Sequence, residues 1–153
     1  MKQLFQCTFY LLIFGFTSSS VYAQKTVNNT EAIMESEFSE RKAILETIKN
    51  FYIGDHTGSI KHKKLSMHEK GAYRYVNKNG EYSESVFRLD SDDSDQNYKE
   101  ELLSIEIYSK VALARLRLDQ FKMDKPEYKL MTLHKAGGQW KITSITWGFG
   151  ITQ

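Results

Sequence analysis

The sequence predicts an α+β fold in which a curved antiparallel sheet wraps around a long N-terminal helix. Three observations predict it. Apolar residues recur at 3–4 spacing from Met34 to Tyr52. Alternating apolar runs, cut by short turn signals, fill Leu103–Phe149. The alternation changes phase near Thr143-Ser144, which signals a bulge, and a bulge bends a sheet sharply.

The chain has 153 residues, enough for one domain. It opens like a secretory signal: Lys2, an apolar LFQCTFYLLIFGF core, then the small-residue exit Val21-Tyr22-Ala23. Cleavage is expected after Ala23. The apolar run is shorter than the about 20 residues that span a bilayer. The expected organisation is a signal peptide over 1–23, a flexible arm over 24–30 and one domain over 31–153. The product is periplasmic or secreted, with no membrane attachment after cleavage. Cys7, the only cysteine, falls in the signal, so an apolar core must stabilise the mature chain without disulfides. The formal net charge of +2 gives no reason to expect a nucleic-acid partner.

The helix is expected to begin near Glu31. Met34, Phe38, Arg41, Leu45, Ile48 and Tyr52, widened by Ile44 and Phe51, form the stripe that faces the sheet. Glu35, Glu37, Glu40, Lys42, Glu46 and Lys49 fall on the solvent side. Gly58 suits the position after the helix. Ser59 then caps a short second helix through Met67, with Ile60, Leu65 and Met67 as its apolar face and Lys61-His62-Lys63-Lys64 as a solvated basic run. Ala72–Val76 reads as a strand, and Asn79-Gly80 ends a strong turn signal. Residues 83–89 fit a return strand or a helical turn. Asp90–Asn97 is an acidic loop.

Three long strands follow. Leu103, Ile105 and Ile107 share one face of the first. Ala112, Ala114, Leu116 and Leu118 share one face of the second, and Val111 and Leu113 leave its other face apolar as well. In the last, Trp140 and Ile142 have one parity, Ile145, Trp147 and Phe149 the other.

This order resembles the nuclear-transport-factor-like superfamily of cystatin-like, SnoaL-like cones, and within it the putative lumazine-binding family. Tyr52-Ile53-Gly54 followed by Gly58-Ser59 is similar to the family's helix end. His68 stands where the family has Phe-His-Pro. Ser104–Ile107 with Val111–Ala114 is similar to its paired strands, and Leu133–Ile142 to its closing hairpin. Three positions depart from the pattern: Glu69 replaces the proline, Lys129 an acid and Ile145 a lysine. The resemblance implies a cone-shaped sheet around the helix with a ligand cavity at its open end.

Candidate ligand-binding residues in such a pocket are His68, Tyr73, Tyr75, Glu106, Arg115, His134 and Trp147. His68 can donate, accept or titrate, and a purely structural tie between helix and sheet is its alternative. Tyr73, Tyr75 and Trp147 can stack on a flat ligand or simply pack. Glu106 and Arg115 can pair across neighbouring strands. Asp55 and Asp119 are carboxylates without motif context. Asp90, Asp92, Ser94 and Glu101 partly match a calcium-loop spacing, but Asp95 replaces its glycine.

These readings favour an exported module that binds a small hydrophobic or aromatic ligand or serves as a scaffold, without catalytic residues, cofactor or metal. The convex sheet face is expected to form a homodimer. The alternative is a SnoaL-like or ketosteroid-isomerase-like isomerase or hydro-lyase acting in the cone.

Overall fold

A computed structural model describes the backbone of residues 17–77, 79–121 and 124–150, and side chains from residue 30 onward. Most of the proposed signal segment therefore lies outside the described residues. The chain divides into two units, residues 1–39 and 40–153. A 41-residue helix, α1 (Thr17–Thr57), runs through both. It starts before the expected Glu31, so residues 24–30 lie within it. In the first unit Met34 and Phe38 are exposed, contrary to the stripe drawn for them. The buried stripe begins at Ile44 and continues through Ile48, Phe51 and Tyr52.

The second unit adds α2 (Ile60–Ser66) and a six-stranded sheet. Its strands are β1 (Met67–Val76), β2 (Tyr82–Val86), β3 (Tyr98–Tyr108), β4 (Val111–Gln120), β5 (Glu127–Ala136) and β6 (Gln139–Phe149). Their order is β2-β1-β6-β5-β4-β3. The fold is the expected α+β cone, an open sheet around a helix. Three details differ from expectation. The C-terminal meander has four long strands, because Tyr128–Ala136 belongs to a strand of its own. The sheet is mixed, because β1 pairs with β6 in parallel. The ambiguous stretch 83–89 resolves as part of strand β2 followed by a non-regular connection.

The bulge falls where the phase switch placed it. Leu133 pairs with Ile142 while Thr132 pairs with Ser144, so Thr143 is the extra residue. Side chains alternate with period two, so one inserted residue reverses the facing of all that follow. Trp140 and Ile142 before it, and Ile145 after it, are consequently all buried. A second irregularity in β3 leaves Leu103 between the pairs Leu102–Leu116 and Ser104–Arg115. Leu103 is therefore exposed, and does not share the inner face with Ile105. In β4 the reading holds: Ala112, Ala114, Leu116 and Leu118 are inside, and Leu113 is outside.

The helix is fastened to the closing hairpin by polar contacts. Glu40 forms an ion pair with Lys135, and the Trp140 indole Nε1–H donates to its Oε2 at 2.7 Å. Thr47 Oγ1 donates to the Trp140 carbonyl at 3.2 Å. Glu40 is thus a tie to the sheet, where periodicity alone had placed it toward solvent. Gly71 is needed where β1 passes the bulge: a Cβ there would stand 2.4 Å from the Phe87 ring and 3.0 Å from the Thr143 carbonyl oxygen.

The Lys135 and Trp140 contacts hold the Glu40 carboxyl below the usual carboxylate range. A depressed folded pKa gives stability that is present above the unfolded value and is lost as pH falls through the folded one. Glu40→Gln is expected to cost about 1–2 kcal/mol at pH 7. Urea denaturation should show the gap to the wild type closing as pH drops through the acid range.

Candidate functional site

At the end of α1 the second unit holds a cavity of about 300 Å³, lined by residues including Phe51, Asp55, Lys63, Met67, Tyr73 and Ser85. Each wall has a local cause. Phe51 continues the buried stripe of α1. Gly58, at φ +70°, ends the helix with the left-handed residue that lets the chain turn into α2. Ser59 does not cap α2 with its side chain; its Oγ instead meets His62 Nδ1 at 2.7 Å. The buried residues of α2 are Lys63 and Ser66, while Ile60 and Leu65 are exposed, so of the predicted apolar face only Met67, just past the helix, turns inward.

Lys63 turns inward because polar partners meet it there. Its Nζ donates to the carbonyls of Ser91 and Asp93 at 2.8 and 2.6 Å. The acidic loop closes over the helix end through further bonds. Asp95 N donates to the Asp55 carbonyl at 2.9 Å, and Gln96 Nε2 to the His56 carbonyl at 2.9 Å. A Cβ on Gly58 would lie 2.1 Å from the Asp92 carbonyl oxygen, so the loop is seated directly on that glycine. The loop is thus a wall of the cavity, and its carbonyls face an internal ammonium.

Aromatic and charged groups pack beside two of the lining residues, Tyr73 and Asp55. Tyr73 meets Phe87 edge-on at 4.8 Å and Trp147 at 5.8 Å, and Tyr75 stacks on Trp147 at 4.4 Å. Tyr98 donates its hydroxyl to the Asp55 carboxylate. Burial pushes the Tyr73 and Tyr98 hydroxyls up, and the nearby Asp55 charge adds to both shifts, so both rings stay neutral. Lys129 Nζ sits 5.0 Å from the Tyr98 ring centre and 5.6 Å from that of Phe51, a cation–π arrangement. Nearby, burial raises the Glu127 carboxyl, which accepts from Gln120 Nε2.

The predicted residues separate into groups. Tyr73 lines the cavity, and Tyr75 and Trp147 extend its aromatic row into an adjoining groove of about 390 Å³. His68 is half-buried and does not line the cavity; its Nδ1 accepts from Lys70 N at 3.1 Å. Glu106, Arg115 and His134 lie on the outer sheet face. Glu106 stands opposite Leu113 and accepts from the Tyr108 hydroxyl, whereas Arg115 stands opposite Ser104, so the two are diagonal neighbours in the register set by the turn at Ser109-Lys110, not directly opposed. His134 Nδ1 meets Thr143 Oγ1 at 2.8 Å. Sequence reasoning missed Phe51 and Lys63 as cavity residues. Nothing in a run of four basic residues marks which one turns inward.

The family whose model matches the chain is described as "Putative lumazine-binding", and the match covers residues 39–148. Among solved structures, a nuclear-transport-factor-like (NTF2-like) protein of unknown function from Shewanella baltica is similar, with 16% identity and a TM-score of 0.63, over 75% of this chain and 97% of that one. A putative ketosteroid isomerase from Shewanella frigidimarina has 17% identity and a TM-score of 0.53, over 69% and 94%. A putative scytalone dehydratase from Novosphingobium aromaticivorans has 15% identity and a TM-score of 0.53, over 78% and 90%. At these identities the likeness is one of fold. No match is found among the curated proteins.

Lys63→Met removes the ammonium that holds the Ser91 and Asp93 carbonyls. Hydrogen bonds to a charged group contribute about 1.5–3 kcal/mol each at most. The variant is expected to lose about 1–3 kcal/mol and to be cut by protease within residues 90–97 under conditions that leave the wild type intact.

Proposed function

We propose, because the chain belongs to the putative lumazine-binding family, that it is an exported binding module whose cone holds a small, flat, aromatic ligand without transforming it. One observation carries this reading: Tyr73 and Phe51 both line a cavity of about 300 Å³. That volume is at the lower end of small-molecule sites, and apolar walls with a few polar groups are their usual lining. Asp55 supplies an acceptor for a ring N–H, so a pteridine such as lumazine is a suitable probe. Tyr75 and Trp147 offer a second stacking surface beside the cavity.

The outer sheet face supports a homodimer. Leu103, Leu113 and Leu130 are exposed on it at 38%, 45% and 53%. Burial in a second copy removes that apolar area from water. Export rests on the segment 1–23, with its basic start, apolar core and Ala23 exit.

A second reading, an isomerase or hydro-lyase acting in the cone, is favoured by one observation. Asp55 lines the cavity and receives the Tyr98 hydroxyl, so a held carboxylate is available to move a proton.

Native mass spectrometry of protein purified from its own source tests these readings together. The expected species is a dimer of chains beginning at Gln24, each carrying one retained small molecule. Tyr73→Ala is expected to lose that molecule and to weaken lumazine binding at least tenfold. A full-length monomer with an empty cone would overturn all three readings. The enzyme reading expects substrate and product to appear together in the wild type, and substrate alone in Asp55→Asn.

A further inference from the structure

The other flank of α1 carries a separate groove of about 470 Å³, between the helix and the edge strand β3. Its lining includes Leu45, Ile48, Tyr52, His56, Glu100 and Leu102. The site differs from a plain apolar crevice in one respect. Tyr52 Oη and His56 Nε2 are both buried, and they are the two buried side-chain polar atoms with no hydrogen-bond partner among the described residues. Tyr52 as a whole is only 9% exposed. Glu100 Oε2 stands 3.7 Å from His56 Nε2, beyond hydrogen-bond length. Burial and the Glu100 and Asp55 charges push the Tyr52 hydroxyl up, so it keeps its proton and remains a donor.

Buried polar atoms are nearly always satisfied, and an unsatisfied one carries a desolvation cost. Two such atoms on neighbouring turns of one helix, beside an apolar groove, mark a place where a ligand's polar head completes the bonding. The head must accept from a phenolic O–H and donate to a ring nitrogen or a carboxylate. A hydroxyl does both from one atom, while a carboxylate would meet Glu100. The apolar part of the lining, which includes Leu45, Ile48 and Leu102, calls for an apolar body, and Leu45 is 43% exposed.

We propose that this groove is a second ligand site, distinct from the Tyr73 cavity, that takes a small apolar alcohol with its hydroxyl between Tyr52 and His56.

Amide chemical-shift titration of the full chain with 1-octanol tests this, with octyl methyl ether as the control that cannot donate. The expected result is saturable shifts confined to residues 45–57 and 100–102, with binding of the ether about tenfold weaker. Tyr52→Phe should also weaken octanol binding about tenfold, and Leu45→Arg, at an exposed position, should abolish it. Without any alcohol, Tyr52→Phe should raise the thermal midpoint, because it removes a buried hydroxyl that has no partner. Absence of saturation, shifts confined to the Tyr73 cavity, equal binding of the ether, or a lowered midpoint in Tyr52→Phe would each overturn the proposal. Lumazine binding in the Tyr73 cavity is expected to be unchanged in Leu45→Arg, so failure of one site is distinguishable from failure of the other.

Discussion

A sheet encloses a helix only where it bends, and the bend here depends on one extra residue in β6. With Thr143 inserted, Trp140 and Ile142 on one side and Ile145 on the other all turn inward. Without it, the strand would present half of these residues to solvent. The same residue governs the neighbouring strand. Between Met67 and Ala72, β1 carries four residues past the single bulged position of β6. Only a glycine fits at the closest approach, because both the Phe87 ring and the Thr143 carbonyl are there.

The bend also explains how the helix is held. Trp140, turned inward just before the bulge, gives its indole N–H to Glu40 and its carbonyl to Thr47. One residue of the hairpin thus clamps two turns of α1. That clamp carries the last turns of the helix across the sheet, with Phe51 and Asp55 on the cavity side and Tyr52 and His56 on the other flank. Charge on the buried Lys63 and the half-buried Lys129 is managed locally. Lys63 is neutralised by carbonyl dipoles, and Lys129 by the faces of Phe51 and Tyr98.

Much of the fold was legible in the residues. Alternation in Val111–Leu118 identified the inner face of β4, because a half-buried strand repeats every two residues. The phase change near Thr143-Ser144 located the bulge for the same reason. The site was less legible. Tyr73, Tyr75 and Trp147 were found by residue type, and they form one aromatic row. His68, Glu106, Arg115 and His134 were chosen with them and lie elsewhere. Motif position and strand parity do not report a bulge such as that at Leu103, which turns that leucine outward.

By itself, then, the sequence determined the periodicities: a helix stripe drawn from Met34 to Tyr52, of which only the part from Ile44 on is buried, inner and outer faces of β4, and the change of phase that bends β6. These are local properties of the chain, set by 3.6- and 2-residue repeats. Tertiary structure alone decided which polar residues turn inward. Glu40, Lys63 and Lys129 look like surface charges in any local window. They face the interior because Trp140 with Lys135, the carbonyls of the 90–97 loop, and two aromatic rings are brought to them from distant positions. A buried charge is tolerable only where partners converge, and that convergence exists only after the chain has folded.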